Sequence, residues 1–160
     1  MMPTIELRPV VETDDAFLAS VYAGTREDEM ALVPWTEAEK SQFLEFQHRA
    51  QTHSYTSRFP DSEHHIVLVD GEPAGRIWVD EWEDEIRLLD IAILPDFRRR
   101  GVGMILLERL QQRARSAHKA LRHSVHTDNE EAIRLYQRAG FTIVEDYDFA
   151  THHLMEWTGP

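Results

Sequence analysis

The stretch Arg98–Leu110, RRRGVGMILLERL, sets three consecutive arginines before Gly-Val-Gly and then runs into apolar residues at helical spacing. After a buried strand, the backbone N–H groups at a helix N-terminus form an anion site, and glycine lets a phosphate approach the main chain. Arginine forks add charge-assisted hydrogen bonds to phosphate oxygens. Gly101 and Gly103, with Arg98, Arg99 and Arg100 in front of them, therefore point to a pyrophosphate or nucleotide phosphate. Two familiar phosphate loops do not fit. A dinucleotide fingerprint requires glycine where Leu106 stands, and a P-loop requires a Gly-Lys-Ser/Thr ending that is absent.

Outward from this turn the chain alternates strands and helices. Ile86–Leu94 (IRLLDIAIL) is apolar enough for a central strand stopped by Pro95. Val102, Ile105, Leu106 and Leu110 line one face of a helix that ends near Ala117, with Arg109, Gln112, Arg113 and Arg115 on its other side. Leu121–His126 predicts a short strand, Asp128 or Asn129 caps a helix through Arg138, and Gly140 stops it. Phe141–Phe149 and His152–Trp157 predict two closing strands. Upstream, Thr4–Arg8 alternates as a first strand, and Thr13 or Asp14 caps a helix through Ala16, Phe17, Val21 and Tyr22. Thr36–Glu39 is a capping box for a second helix to about Thr52. His65–Val69, the Asp70-Gly71 turn and Gly75–Trp82 form a hairpin, and Glu83-Asp84-Glu85 turns the chain into the central strand. The order is α/β, with a mixed sheet covered by helices on both faces.

The chain has 160 residues and no cysteine, which suits one domain and excludes thiol nucleophiles, disulfides and thiolate zinc sites. Its N-terminus has no basic region followed by an apolar run and no stretch approaches bilayer-spanning length, so the expected compartment is the cytoplasm, with no membrane partner. A net charge of -12 argues against a nucleic-acid partner and suits a cationic one. Against that background, eight of the 17 Lys and Arg residues lie between Asp96 and Arg122.

The arginine turn fits the pattern Arg/Gln-x-x-Gly-x-Gly/Ala at Arg98, Gly101 and Gly103, after a strand ending Ile93-Leu94-Pro95-Asp96-Phe97. Further on, Asn129-Glu130-Glu131-Ala132-Ile133-Arg134-Leu135-Tyr136-Gln137-Arg138-Ala139-Gly140-Phe141 fits Asn-x-x-Ala-x-x-Leu-Tyr-x-x-x-Gly-Phe. In these two segments, their order and the element order around them, the chain resembles the GNAT superfamily of acetyl-coenzyme A dependent N-acetyltransferases. The resemblance covers nearly the whole chain, residues before about His64 only in outline. It implies a GNAT-like, mostly antiparallel sheet of about seven strands, helices on both faces, splayed between the fourth and fifth strands, as one domain over residues 1–160. It departs from the commonest pattern at Arg99, where many relatives carry glycine.

By the same resemblance, Arg98, Arg99, Arg100, Gly101, Val102, Gly103 and Met104 hold the coenzyme A pyrophosphate. Ile91, Ala92, Ile93 and Leu94 pair their main chain with the pantetheine arm, the amide near Ile93 stabilises the oxyanion, and Asn129 caps its helix and reaches the coenzyme. Tyr136 matches the family's general acid; its other reading is a ring packed on its helix face. Amine acetylation also requires a proton acceptor, because a lysine-like amine of ordinary pKa ~10.4 arrives charged. Asp90, on the opposite strand face from Ile91 and Ile93, is that candidate or else an exposed outer residue. Glu81, Glu83 and Glu85 read as a solvated acidic cluster and His126 as a turn residue, while Ser124 stands where some relatives carry a glutamate base. His64-His65 and His152-His153 do not suggest metal, since neighbours in a strand face opposite sides.

The expected activity is transfer of an acetyl group from acetyl-coenzyme A, as co-substrate and without a metal, to a primary amine by direct attack in a ternary complex. The alternative is a non-catalytic coenzyme A binding or sensor module. The acceptor is a small-molecule amine or a peptide or protein amine, with Glu27, Asp28, Glu29, Trp35 and Tyr55 in the region expected to build its side of the site. The closing strand His152–Trp157 is a candidate sheet edge for a homodimer.

Overall fold

The computed structural model describes residues 2–144 and 151–159. The chain opens with β1 (Ile5–Pro9), then α1 (Asp15–Thr25), α2 (Glu27–Ala31) and α3 (Glu37–Arg58). A meander of β2 (Glu63–Val69), β3 (Glu72–Glu81) and β4 (Glu85–Ile93) follows, then α4 (Val102–Ala117), β5 (Ala120–His126), α5 (Glu130–Arg138), β6 (Thr142–Ile143) and β7 (His152–Trp157).

Local chemistry accounts for most of these limits. Thr36 Oγ1 accepts from the Glu39 amide at 3.1 Å and Glu39 Oε1 from the Thr36 amide at 3.0 Å, closing the expected capping box on α3. The helix runs past Thr52 to Arg58, because no breaker intervenes before Phe59-Pro60, where the proline disfavours helix in the residue ahead of it. The five-residue α2 is too short to show a periodic pattern and was not expected. Asp70 and Gly71 both have left-handed backbone, with φ of 49° and 84°, the geometry that closes a two-residue hairpin. Of the closing strand expected over Phe141–Phe149, the structure shows β6 at Thr142–Ile143, and residues 145–149 lie outside the described part.

The seven strands form one sheet in the order β1-β2-β3-β4-β5-β7-β6, with β4 and β5 parallel and the other pairs antiparallel. Ile77, Val79, Ile86 and Leu88 face Val102, Leu106, Leu107 and Leu110 of α4 and Tyr136 of α5 in the main core. The opposite face carries Arg76 and Trp78, which meet Gln51 and Tyr55 of α3. Helices thus cover both faces. The strand β7 is not an edge, contrary to expectation: it pairs with β5 from Leu121 to His126 and with both residues of β6.

Candidate active site

The sheet opens where the two motifs meet. The parallel ladder of β4 with β5 joins Glu85–Leu88 to Ala120–His123 and stops, so Leu89–Ile93 and Ser124–His126 diverge as the arms of a wedge. The stop coincides with a bulge. On β3, Val79 and Trp78 are adjacent, but their β4 partners are Leu88 and Asp90, leaving Leu89 as the extra residue. That insertion resets the alternation. Asp90 and Ala92 share a face with Trp78 and Arg76, while Ile91 lies opposite Ile77 on the main-core face. The Tyr55 hydroxyl of α3 donates to the carbonyl of Leu89 at 3.3 Å, using an acceptor at the bulge.

Asp90 therefore does face away from Ile91 and Ile93, but it is half-buried and ion-paired. Its Oδ2 accepts from Arg76 Nε at 2.8 Å, and Arg76, 1% exposed, also donates to Gln51 Oε1 at 2.5 Å. On the same face His64 lies flat on the Trp78 indole at 3.8 Å. Burial, followed by the positive charge of Arg76, pushes the His64 imidazole down to about 3.

A short turn, Pro95–Phe97, carries β4 into the arginine-glycine segment. Arg99 and Gly101 both adopt left-handed backbone, with φ of 62° and 79°. This accounts for the glycine many relatives carry where Arg99 stands, since only glycine occupies that region without a Cβ penalty. The first helical bond of α4 runs from the Ile105 amide to the Gly101 carbonyl, which leaves the amides of Val102, Gly103 and Met104 with no acceptor inside the helix. No side chain caps this end and no acid occupies its first turn. Gly103 is required neither by φ nor by the protein's own packing, because a Cβ there would meet only Leu135 Cδ2, at 3.5 Å. Without a side chain there, the start of α4 carries nothing bulkier than hydrogen between its uncapped amides and Leu135 of α5. That cradle fits a phosphate group.

The arginines divide their work. Arg98 donates to the carbonyls of Ile93 at 2.9 Å and Gly24 at 3.3 Å, tying the loop to β4 and α1. Arg100 lies over the Phe97 ring at 5.2 Å, and Arg99 is exposed. The rest of the basic segment is spent within the fold. Arg113 and Lys119 hold Glu81, Arg122 bridges Glu85 and Glu156, and Arg109 donates to the Ile5 carbonyl. Glu81 and Glu85 are thus ion-pair partners, Glu85 buried, rather than the solvated cluster expected; Glu83 is exposed.

On the β5 side, Asn129 Oδ1 accepts from the Ala132 amide at 3.2 Å and caps α5 as expected. About two turns later Tyr136 is 3% exposed, its ring edge-on to His123 at 5.0 Å and to Phe141 at 5.5 Å. Burial, and after it the negative charge of Asp90, pushes its phenol up beyond the ordinary tyrosine value. His126 is exposed, accepts from the Asp128 amide at 3.1 Å and lies edge-on to His152 at 5.2 Å. Ser124 is exposed on the diverging arm.

His123 was not singled out in the sequence. Its Nδ1 lies 2.7 Å from the carbonyl of Leu88, the last β4 residue paired with β5, and burial pushes the imidazole below its ordinary value. The available signal was alternation: Leu121, His123 and Val125 share a buried face, and a lone histidine between two aliphatic residues stands out. Among the described residues no group of three His, Cys, Asp or Glu side chains could hold a metal ion, and no helix is long and apolar enough to cross a membrane.

Comparison with known proteins agrees with this architecture. The chain aligns over 96% of its length with 98% of the PaiA N-acetyltransferase from Thermoplasma acidophilum, solved in complex with coenzyme A, at 18% identity and a TM-score of 0.70. The Ard1 structure from Thermoplasma volcanium aligns over 96% of both chains, at 25% identity and a TM-score of 0.62. A curated relative, the [ribosomal protein bS18]-alanine N-acetyltransferase of Salmonella typhimurium, is 42% identical over 59 residues, which span 36% of this chain and only 40% of that protein. The sequence model described as the Acetyltransferase (GNAT) family matches residues 23–141, most of the chain and both motifs, and the protein belongs to that family.

Proposed function

We propose that this protein transfers an acetyl group from acetyl-coenzyme A, its co-substrate, to a primary amine. The observation that carries the reading is the uncapped start of α4, where the amides of Val102, Gly103 and Met104 have no acceptor inside the helix, in a fold whose β4–β5 ladder ends at Leu88 and His123. Arg98 to Met104 hold the pyrophosphate, mainly through the free amides of Val102, Gly103 and Met104, with Arg99 and Arg100 adding charge at the surface and Arg98 fixing the loop. The main chain of Ile91, Ala92 and Ile93, unpaired by β5, receives the pantetheine arm, and Asn129 lies at the start of the facing helix.

Acetyl-coenzyme A supplies the activated thioester. The chain's own residues move protons around it. The net change converts an ammonium and a thioester into an amide, a thiol and one proton released to solvent, so two protons leave the nitrogen. Asp90 accepts the first, through a carboxylate oriented by Arg76. Tyr136 gives a proton to the departing thiolate. A net charge of -12 suits a cationic acceptor, whether a small amine or the amino group of a peptide or protein, as for the Salmonella relative that acts on a ribosomal-protein alanine. The cytoplasm is the compartment in which such an acceptor and acetyl-coenzyme A meet.

The pairing of Asp90 with Arg76 also favours a second reading, a coenzyme A binding module without turnover, in which that carboxylate only neutralises a buried arginine. The deciding experiment incubates the protein with acetyl-coenzyme A and a panel of spermidine, glucosamine, L-lysine and a peptide beginning with alanine, and follows thiol release. Release that depends on an amine supports the transferase. Tight coenzyme A binding without release on any amine supports the module.

A further inference from the structure

The buried ring of His123 has no part in the scheme above, yet it occupies the apex of the wedge. Leu88 and His123 are the last residues joined across β4 and β5. Because a carbonyl only accepts, the 2.7 Å contact between His123 Nδ1 and the Leu88 oxygen requires the proton on Nδ1. Nε2 then carries the lone pair of a neutral imidazole. The same ring meets Tyr136 edge-on at 5.0 Å. Hence one end of the imidazole is anchored to the backbone at the splay point, and its ring packs edge-on against Tyr136.

We propose that His123 carries the second amine proton to Tyr136, closing the proton circuit of acyl transfer inside the wedge. The proposal rests on the transferase reading. As the new C–N bond forms and the C–S bond breaks, the nitrogen releases its second proton to His123 Nε2. The Tyr136 hydroxyl gives its proton to the thiolate sulfur. The imidazolium then returns the proton to the tyrosine oxygen, so both residues end as they began and no outside acid or base is consumed.

Magnitudes explain why Tyr136 needs such a neighbour. An ordinary phenol has a pKa of ~10 and a thiol ~8.5, so proton donation by tyrosine alone runs uphill. Burial pushes the Tyr136 phenol further up and steepens that climb. An imidazolium, ordinarily near ~6.5, gives its proton to a thiolate downhill. Burial depresses His123 as well, which favours its return to the neutral form. The groups whose charges reach it are Asp90 and Arg87 on β4 and His152 on β7, with the Tyr136 phenol packed from α5.

The test uses His123→Asn, whose side-chain amide still donates to the Leu88 carbonyl but has no basic nitrogen, and His123→Phe, which keeps a ring against Tyr136. With the best amine of the panel, both are expected to bind coenzyme A as the wild type does and to lose about 10²-fold in turnover, the usual contribution of one acid–base group. The pH–rate profile is expected to lose one ionisation in both. An Asn variant with wild-type turnover and profile overturns the proposal, and so does loss of coenzyme A affinity in step with turnover in both, which marks a packing role. Independently of any variant, nitrogen NMR of the wild-type imidazole is expected to show the Nδ1–H form at pH 7; the Nε2–H form overturns the proposal. If the wild type itself acetylates no amine while the NMR result holds, the transferase reading is what has failed.

Discussion

Arg76 Nε donates to Asp90 Oδ2 at 2.8 Å across the β3–β4 pair, and the arginine behind that bond is 1% exposed. A buried guanidinium needs a counter-charge, so Asp90 answers a structural demand as well as a proposed catalytic one. Replacing Asp90 with Asn removes the charge but keeps an oxygen acceptor, and is expected to cost about 1–3 kcal/mol of stability, the scale of a hydrogen bond to a charged group. Urea unfolding measures that part. If Asp90 is also the first proton acceptor, the same variant loses the acidic limb of its rate profile, and Arg76→Met lowers turnover while leaving coenzyme A affinity unchanged. A variant that is less stable but has an intact profile reduces Asp90 to the counter-charge alone.

Tyr136→Phe separates the hydroxyl from the ring. The ring contacts with His123 and Phe141 survive the change, so stability is expected to move by no more than about 1 kcal/mol. Turnover is expected to fall roughly 10²-fold or more with coenzyme A affinity retained. Calorimetric titration with coenzyme A beside a thiol-release assay reads both.

Gly103→Ala tests the phosphate cradle without disturbing the backbone. The added Cβ meets only Leu135 at 3.5 Å, so the melting temperature should hold within a few degrees while coenzyme A affinity drops by about tenfold or more. Gly101 is the poorer site for this test, because its φ of 79° strains any other residue and mixes a folding defect into the result.

Three histidines, His48, His64 and His123, are held below their ordinary value of 6.5, each chiefly by burial. The unfolded chain takes up those protons near pH 6.5, whereas folded His64 resists until about 3. More protons are then bound by the unfolded state inside that window, so stability is full above it and is lost as pH falls through it. Unfolding midpoints between pH 7.5 and 4.5 should decline, and His64→Phe, which preserves an aromatic ring on Trp78, should flatten part of the decline. A midpoint independent of pH over that range contradicts the assignment.

Much of this was legible in the sequence because it depends on local signals. The Thr36–Glu39 box, the Asp70-Gly71 turn, the glycines before α4 and the Asn129 cap each act within a few residues, and each lies where the pattern put it. What was hidden depends on distant partners. Nothing around Asp90 announces Arg76, fourteen positions away across a strand pair. The basic segment looked like one patch until Glu63, Glu81, Glu85 and Glu156 arrived from other strands to pair with three of its members, Arg113, Lys119 and Arg122. His152–Trp157 read correctly as a strand but not as an interior one, because sheet order is set by tertiary packing rather than by alternation. His123 was missed because a buried histidine gains its meaning only from the carbonyl and the phenol it meets.

The early end of the β4–β5 ladder has a mechanical consequence. Only four residue pairs at its middle join the two halves of the sheet, β1 to β4 on one side and β5, β7 and β6 on the other. The backbone groups on the facing arms supply the sites for further rungs, and a slender ligand with amide groups of its own can furnish them. Such a ligand would act as mortar across the gap the ladder leaves, and hydrogen exchange in β4 and β5 should slow when coenzyme A is added.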